Sequence, residues 1–396
     1  MSGALDGLVV LDLSRILAGP TATQMLGDLG ATILKIENPK TGGDDTRAWG
    51  PNYAIDKDGN KTDLSAYFMC ANRNKKSIAV DIATPEGQDI IRKLAARADI
   101  VVENFKPGGL AKYGLDYDTM LKAHPELVYC SISGFGQTGP NKSKPGYDLM
   151  AQGYGGIMSL TGEPDGQPTK VGVGIADVMC GMYATIGILA ALRHLERTGE
   201  GQHIDVALVD TQMAWLINEG TNFLTSGKLP QRHGNGHPNI VPYSVFEAID
   251  GHVIVAVGND AQFKRFCDFI GFPELADNPK YATNVARIEN RTQLTALISP
   301  PLAQIKMAEI IAGLEALKVP VGPINNVEQA LHSDQAKARD MVVRVADEDV
   351  QGGTLSLLGN PLHLSRTPVT YRSPPPHFGQ DTDAVLAEYI DPEPAE

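Results

Sequence analysis

An α/β fold with a parallel sheet is predicted by two features of the sequence, and a third marks where that sheet stops. Strand-like and helix-like segments alternate through the first half, the order expected when helices form the crossovers between parallel strands. The strand-like segments are runs rich in Val and Ile, which suits strands buried on both faces. At 226–244 the composition changes to Gly, Pro, Asn and His without periodicity, the mark of a long ordered loop or a domain boundary.

In chain order, 8–14 (LVVLDLS) reads as a strand, 20–30 (PTATQMLGDLG) as a helix and 31–37 (ATILKIE) as the next strand. The segment 77–82 (SIAVDI) is a third strand, Pro85 opens a helix, and 99–105 (DIVVENF) is a fourth strand. A short helix at YDTMLKAHP precedes a strand at 127–133 (LVYCSIS). From Asp177 a long apolar pattern predicts a buried helix that stops at Thr198-Gly199. The following QHIDVALVDTQMAWLINEG fits strand or helix. Beyond the loop, GHVIVAVGN, AQFKRFCDFIGF and AEIIAGLEAL suggest a smaller α+β lobe, and 320–326 (PVGPINN) reads as a linker before a tail of short strands and a last helix at DTDAVLAEY. The expected division is a large domain over 1–225, a small one over 226–319, and a segment 320–396 returning to the large domain.

A chain of 396 residues exceeds the size at which one core usually stops growing, so two domains are expected. No apolar run is expected to reach the roughly 18 residues of a membrane span, and the amino end enters a strand with no basic leader. A soluble, cytoplasmic protein without a membrane partner follows as the expectation. Cys70, Cys130, Cys180 and Cys267 form no CxxC pair, which suits buried thiols in a reducing compartment. The formal charge of -13 argues against a nucleic-acid partner, which needs a basic footprint. A local basic pocket could still hold a phosphorylated ligand, because salt screens distant charges within about 10 Å.

Three motifs invite a site. GFGQTG at 134–139 matches G-x-G-x-x-G after a strand, but Pro140 and the polar loop behind it deny the helix that a dinucleotide fingerprint requires. His233 and His237 have metal-ligand spacing, yet the GNG between them and Pro238 forbid a helix, and no third ligand is evident. Asp177, at the end of GVGIAD, reads as the N-cap of the apolar helix; the positive helix end would keep its carboxylate ionised and able to attack. NRNKK (72–76) reads as a solvated loop that could meet an anion, and Lys106, Lys112, Lys142 and Lys144 add charge near strand ends, where open α/β sheets bind ligands.

Ordered along nearly the whole chain are LDGLVVLDLSRILAGP, LGDLGATILKIENP with GDDTR, NRNKKSIAVDI, VENFKPG, SISGFGQTGP, PGYDLMAQ, GVGIADVMCGMYA, RTGEGQHIDVAL and VPVGPINN. Together they resemble the class III CoA-transferases, the formyl-CoA and carnitine CoA-transferase type. RHGNGHPNIVPYSVF is most similar to the branch acting on succinate, glutarate and related dicarboxylates.

The resemblance implies a Rossmann-like large domain carrying CoA, a small domain, and two interlocked chains of a homodimer. It implies Asp177 as the nucleophile and CoA contacts at Leu17, Ala18, Val80, Asp81, Asn104, Phe105, Lys106, Lys112, Lys144 and Tyr147. Asn38 stands where formyl-CoA transferases carry an arginine, and Arg73, Lys75 or Lys76 could replace it. Acyl-CoA and carboxylic acids are the implied substrates, with no tightly bound cofactor and no metal. A dicarboxylate acceptor would meet Arg232 and His237 beside the flexible Gly234 and Gly236, since arginine can grip a carboxylate with two donors. Two alternatives stand beside this reading. An α-methylacyl-CoA racemase normally has a His-Asp pair where this chain has Tyr147-Asp148, and a non-catalytic CoA-binding protein would not need Asp177.

Overall fold

The computed structural model describes residues 3–390. Its main sheet has six parallel strands: β1 (Val9–Asp12), β2 (Thr32–Glu37), β5 (Lys75–Ala79), β6 (Ile100–Glu103), β7 (Val128–Ser133) and β8 (Gln202–Ala207), in the order β5-β2-β1-β6-β7-β8. A short antiparallel hairpin, β3 (Tyr53–Ile55) and β4 (Lys61–Ser65), lies between β2 and β5 in sequence. Helices α1 (Ala18–Asp28), α2 (Ala66–Met69), α3 (Pro85–Ala95), α4 (Tyr117–Ala123), α5 (Asp148–Tyr154) and α6 (Ile175–Thr198) follow in chain order.

Strand side chains alternate between the two faces of a sheet, and the alternation here builds two cores. Val10, Ile33, Ile100, Val102, Val128 and Cys130 pack on one face with Ala22 and Leu26 of α1 and Cys180, Ala184 and Ile188 of α6. Leu11, Leu34, Ile78, Val101 and Tyr129 pack on the other with Ile91 and Leu94 of α3 and with Val385. The segment left open between strand and helix divides at Ala207/Leu208, where β8 gives way to α7 (Leu208–Ala214), followed by α8 (Ile217–Ser226).

Contacts divide the chain into two compact units, one through Ile157 with Lys170–Ser226 and the chain from Asp334 on, the other Met158–Thr169 with Gly227–Ser333. The second unit has its own core. Strands β9 (Tyr243–Ala248), β10 (Gly251–Ala256) and β11 (Val321–Pro323) form an antiparallel sheet, whose Phe246 and Val253 pack with Phe263, Phe266, Leu294 and Ile310. The expected linker at 320–326 is thus partly a strand paired to β10, so the return to the first unit begins at Asp334 and not at 320.

Three other expectations change. NRNKK is no solvated loop: Asn72, Arg73, Asn74 and Lys75 are buried. Arg73 donates from Nε and Nη2 to Asp28 at 2.9 and 2.6 Å, and Lys75 reaches Asp12 at 3.2 Å. Helix α6 is long and apolar enough by length and composition to cross a membrane, although half of that stretch is buried within the protein. Of the four cysteines, Cys130, Cys180 and Cys267 are buried but Cys70 is exposed.

Candidate active site

The strand order reverses direction between β1 and β6, and in open α/β sheets ligands bind beyond the carboxyl ends of the strands at such a switch point. A cleft of about 560 Å³ opens there. Its lining comes from the turns after β1, β2, β5, β6 and β7, and Asp177 of α6 closes it.

The turn after β1 is held in an unusual shape. Ile16 has φ of 74°, a left-handed conformation that a β-branched residue adopts only when its surroundings impose it. Asp44 supplies the constraint by accepting the Ile16 N–H on both oxygens at 3.2 Å, and Lys35, fully buried, fixes Asp44 at 2.9 Å. Asn104 clamps the preceding residue from both sides, accepting from Arg15 N at 3.0 Å and donating to Arg15 O at 2.7 Å. The result presents Leu17 and Ala18 to the cleft at the start of α1. Across the cleft Gly134 meets Gly146 so closely that a Cβ on Gly134 would lie 2.4 Å from Gly146 Cα. GFGQTG therefore serves a backbone crossing, and no helix follows it.

Asp177 is not the N-cap of α6. Gly174 holds that position and Asp177 sits in the first turn. The cap function passes to Asp148, whose Oδ1 accepts the Ala176 N–H at 2.8 Å while Oδ2 accepts from Gln152 Nε2 at 2.7 Å. This brings a second negative charge to the same helix end. Burial, and then the Asp148 charge, push the Asp177 carboxyl up to about 7. The expectation that the helix end would hold Asp177 readily ionised is therefore reversed: desolvation and like charge outweigh the helix dipole, whose effect is commonly below 1 kcal/mol. Local spacing could not show this, because Asp148 and Asp177 are 29 residues apart and meet only through the packing of α5 on α6.

All ten residues expected to contact CoA line this one cleft with Asp177: Leu17, Ala18, Val80, Asp81, Asn104, Phe105, Lys106, Lys112, Lys144 and Tyr147. Asn38 and Arg15 line it too. The replacements suggested for the missing arginine do not. Arg73 and Lys75 are committed to Asp28 and Asp12 inside the protein, and Lys76 pairs with Glu388 at 3.1 Å. At that side of the cleft Lys40 instead pairs with Asp81 at 2.7 Å.

Arg232, Gly234, Gly236 and His237 lie in the second unit. Arg232 donates through Nε to Glu163 O at 3.0 Å and through Nη2 to Pro164 O and Gly166 O at 3.3 and 2.6 Å. These donors staple one surface turn to another. Gly234, at φ of 56°, takes the conformation that favours glycine, and His237 Nδ1 accepts from Asn239 N at 3.1 Å. His233 and His237 belong to no metal-type cluster among the described residues.

A pH-dependent cost follows from the Asp177 environment. Its folded value of about 7 lies above the ordinary 3.8, so the protonated form is favoured by folding, and that contribution disappears as pH rises from about 4 to about 7. Asp177→Asn should therefore raise Tm by more at pH 8 than at pH 4, measured by calorimetry on both proteins. A Tm difference independent of pH, or larger at pH 4, would contradict the assigned environment.

The model of CoA-transferase family III matches residues 5–382. A succinate–glutarate CoA-transferase of Agrobacterium fabrum is 48% identical over 384 residues, covering 97% of this chain and 95% of that protein. A succinyl-CoA:glutarate CoA-transferase of Mus musculus is 40% identical over 98% of this chain and 86% of its own. A CAIB/BAIF family protein of Brucella suis, known as a crystal structure, superposes with a TM-score of 0.87 at 46% identity, covering 98% of this chain and all of that one. With the family model spanning nearly the whole chain and the fold shared to its ends, this protein belongs to CoA-transferase family III.

Proposed function

We propose that the enzyme transfers CoA between short dicarboxylic acids of the succinate and glutarate class, with Asp177 as the nucleophile. The observation that carries this is the meeting of Asp177 with a cleft lined by Arg15, Lys106, Lys112 and Lys144, at the switch point of the sheet. Such a cleft suits a phosphorylated carrier, since its cations and apolar walls (Leu17, Val80, Phe105) match the two ends of a nucleotide thiol.

In the proposed sequence an Asp177 oxygen attacks the donor thioester carbonyl, giving a mixed anhydride and the CoA thiolate. That thiolate attacks the aspartyl carbonyl, releasing the donor carboxylate and leaving an aspartyl-CoA thioester. The acceptor carboxylate attacks the thioester, and the freed thiolate takes the acyl group from the second anhydride, restoring Asp177. Each step exchanges one acyl–oxygen or acyl–sulfur bond for another, so no net proton moves. Elevation of the Asp177 pKa makes the ionised form a stronger nucleophile near neutral pH.

The acceptor preference rests on the relatives named for succinate and glutarate. Within its own unit, Arg232 keeps Nη1 beyond the two nitrogens that hold the 163–166 turn, a donor suited to a carboxylate. A screen of acceptors against succinyl-CoA should give the largest kcat/KM with glutarate-sized dicarboxylates, and Arg232→Ala should reduce dicarboxylate turnover more than acetate turnover. A preference for formate or carnitine would refute the acceptor class, and an equal loss on both acceptors would refute the role of Arg232.

The working unit is proposed to be a cytoplasmic homodimer. Met182, Tyr183, Ile186 and Leu189 form an exposed apolar stripe on α6, with Ile186 60% exposed, and a second copy is the natural cover for it. Light scattering with dilution should show a dimer down to nanomolar concentration. An active monomer would contradict it, and full retention of the dimer in Ile186→Asp would refute the α6 stripe as its contact.

A further inference from the structure

Outside the cleft, the buried polar atoms with no hydrogen-bond partner among the described residues include Asp347 Oδ2 and His377 Nε2. Both side chains belong to a trio with Asp349 whose ligand-type atoms lie within 4.8 Å of one another. Asp347 is only 6% exposed, and a carboxylate oxygen buried to that degree without a donor is costly unless something else satisfies it. The trio sits where the turn between β12 (Val342–Ala346) and β13 (Thr354–Leu358) meets the segment 373–379.

The surroundings decide which atoms face inward. His377 Nδ1 donates to Asp63 Oδ1. The other oxygen of Asp63 accepts from Arg47 Nη1 and from Phe378 N, each at 2.8 Å. With Nδ1 committed to Asp63, Nε2 is directed away from it. A carboxylate that orients a histidine in this manner is the usual outer partner of a metal-binding imidazole. On the carboxylate side, Asp347 Oδ1 accepts from Asp349 N at 3.0 Å, which leaves Oδ2 for another role.

We propose that Asp347, Asp349 and His377 form a site for one divalent cation of the zinc type, oriented by Asp63. His377 Nε2 and Asp347 Oδ2 lie close together, yet neither makes a hydrogen bond. Ligand-type atoms gathered within 4.8 Å of one another without bonding to each other can draw in around one shared ion, whose bonds to such ligands are about 2.0–2.2 Å long. One imidazole nitrogen with two carboxylate oxygens suits zinc or manganese over magnesium or calcium, which prefer all-oxygen sites. The exposed Asp349 gives the ion an entry path and leaves room for water in a fourth position. Its role is structural: it ties the segment around His377 to the 347–353 turn, and neither lies in the cleft.

The test uses the full chain with Cys70→Ser, which removes the exposed thiol, after dialysis against a chelator. Zn²⁺ is titrated by calorimetry and Co²⁺ by visible absorption. We expect one ion per chain, a higher Tm with Zn²⁺, and affinity weaker by at least about tenfold in Asp349→Asn and in His377→Gln. Asp349→Asn keeps the backbone bond to Asp347 and changes an exposed side chain, so it tests the site without threatening the fold. Absence of saturable binding would overturn the proposal, as would unchanged affinity in Asp349→Asn or a thiolate charge-transfer band with Co²⁺.

Discussion

Charges buried along three strands of the main sheet hold the candidate cleft in shape. Asp12 ends β1, Lys35 and Glu37 lie at the end of β2, and Lys75 opens β5; all are buried. Asp12 pairs with Lys75, Lys35 with Asp44, and Glu37 with Arg47 at 2.6 Å. Ser14 and Thr23 complete the shell of Asp12, and Ser77 donates to Glu37 at 2.6 Å. A buried pair adds little net stability over an apolar replacement, but losing one partner strands the other at a cost of about 3–5 kcal/mol. The value of the network therefore lies in geometry. Through Asp44 it imposes the left-handed turn at Ile16, and through Arg47 it reaches Asp63 and the segment around His377.

Asp177, the proposed nucleophile, depends on a second constraint of opposite character. Around Asp12 and Glu37 every negative charge has a cation or several donors, so burial is compensated. Asp177 has a carboxylate neighbour in Asp148, and among the described residues no hydrogen bond holds its side chain. Its ionised form is therefore disfavoured in the folded chain, a stability cost located in the cleft. Asp148 cannot simply be absent, because it also caps α6 and fixes Gln152. The same residue that orients the helix raises the basicity of the group on it.

Much of this was legible in the sequence. The parallel strands were readable because each is a short run of apolar residues between Gly, Asp or Pro signals, and the residues of the cleft because their motifs stand at the ends of those strands. What stayed hidden depends on partners distant in sequence. Arg73 and Lys75 looked like surface charge because nothing nearby in the chain announces Asp28 or Asp12. Val321–Pro323 looked like a linker because a three-residue edge strand has too few residues to show a period. Asp177 looked like an N-cap because a lone Asp before an apolar run carries that preference, and the true cap acceptor comes from α5. The left-handed Ile16 had no local signal, since a β-branched residue is the last expected there.

The central claim is that Asp177 carries CoA covalently during turnover. It is tested most directly by mixing the enzyme with succinyl-CoA in the absence of acceptor, quenching, digesting, and locating any CoA adduct by mass spectrometry. The account predicts a CoA thioester on the peptide containing Asp177, discharged when glutarate is added before quenching and absent from Asp177→Asn. An adduct on another residue, or full transferase turnover by Asp177→Asn under the same conditions, would contradict it.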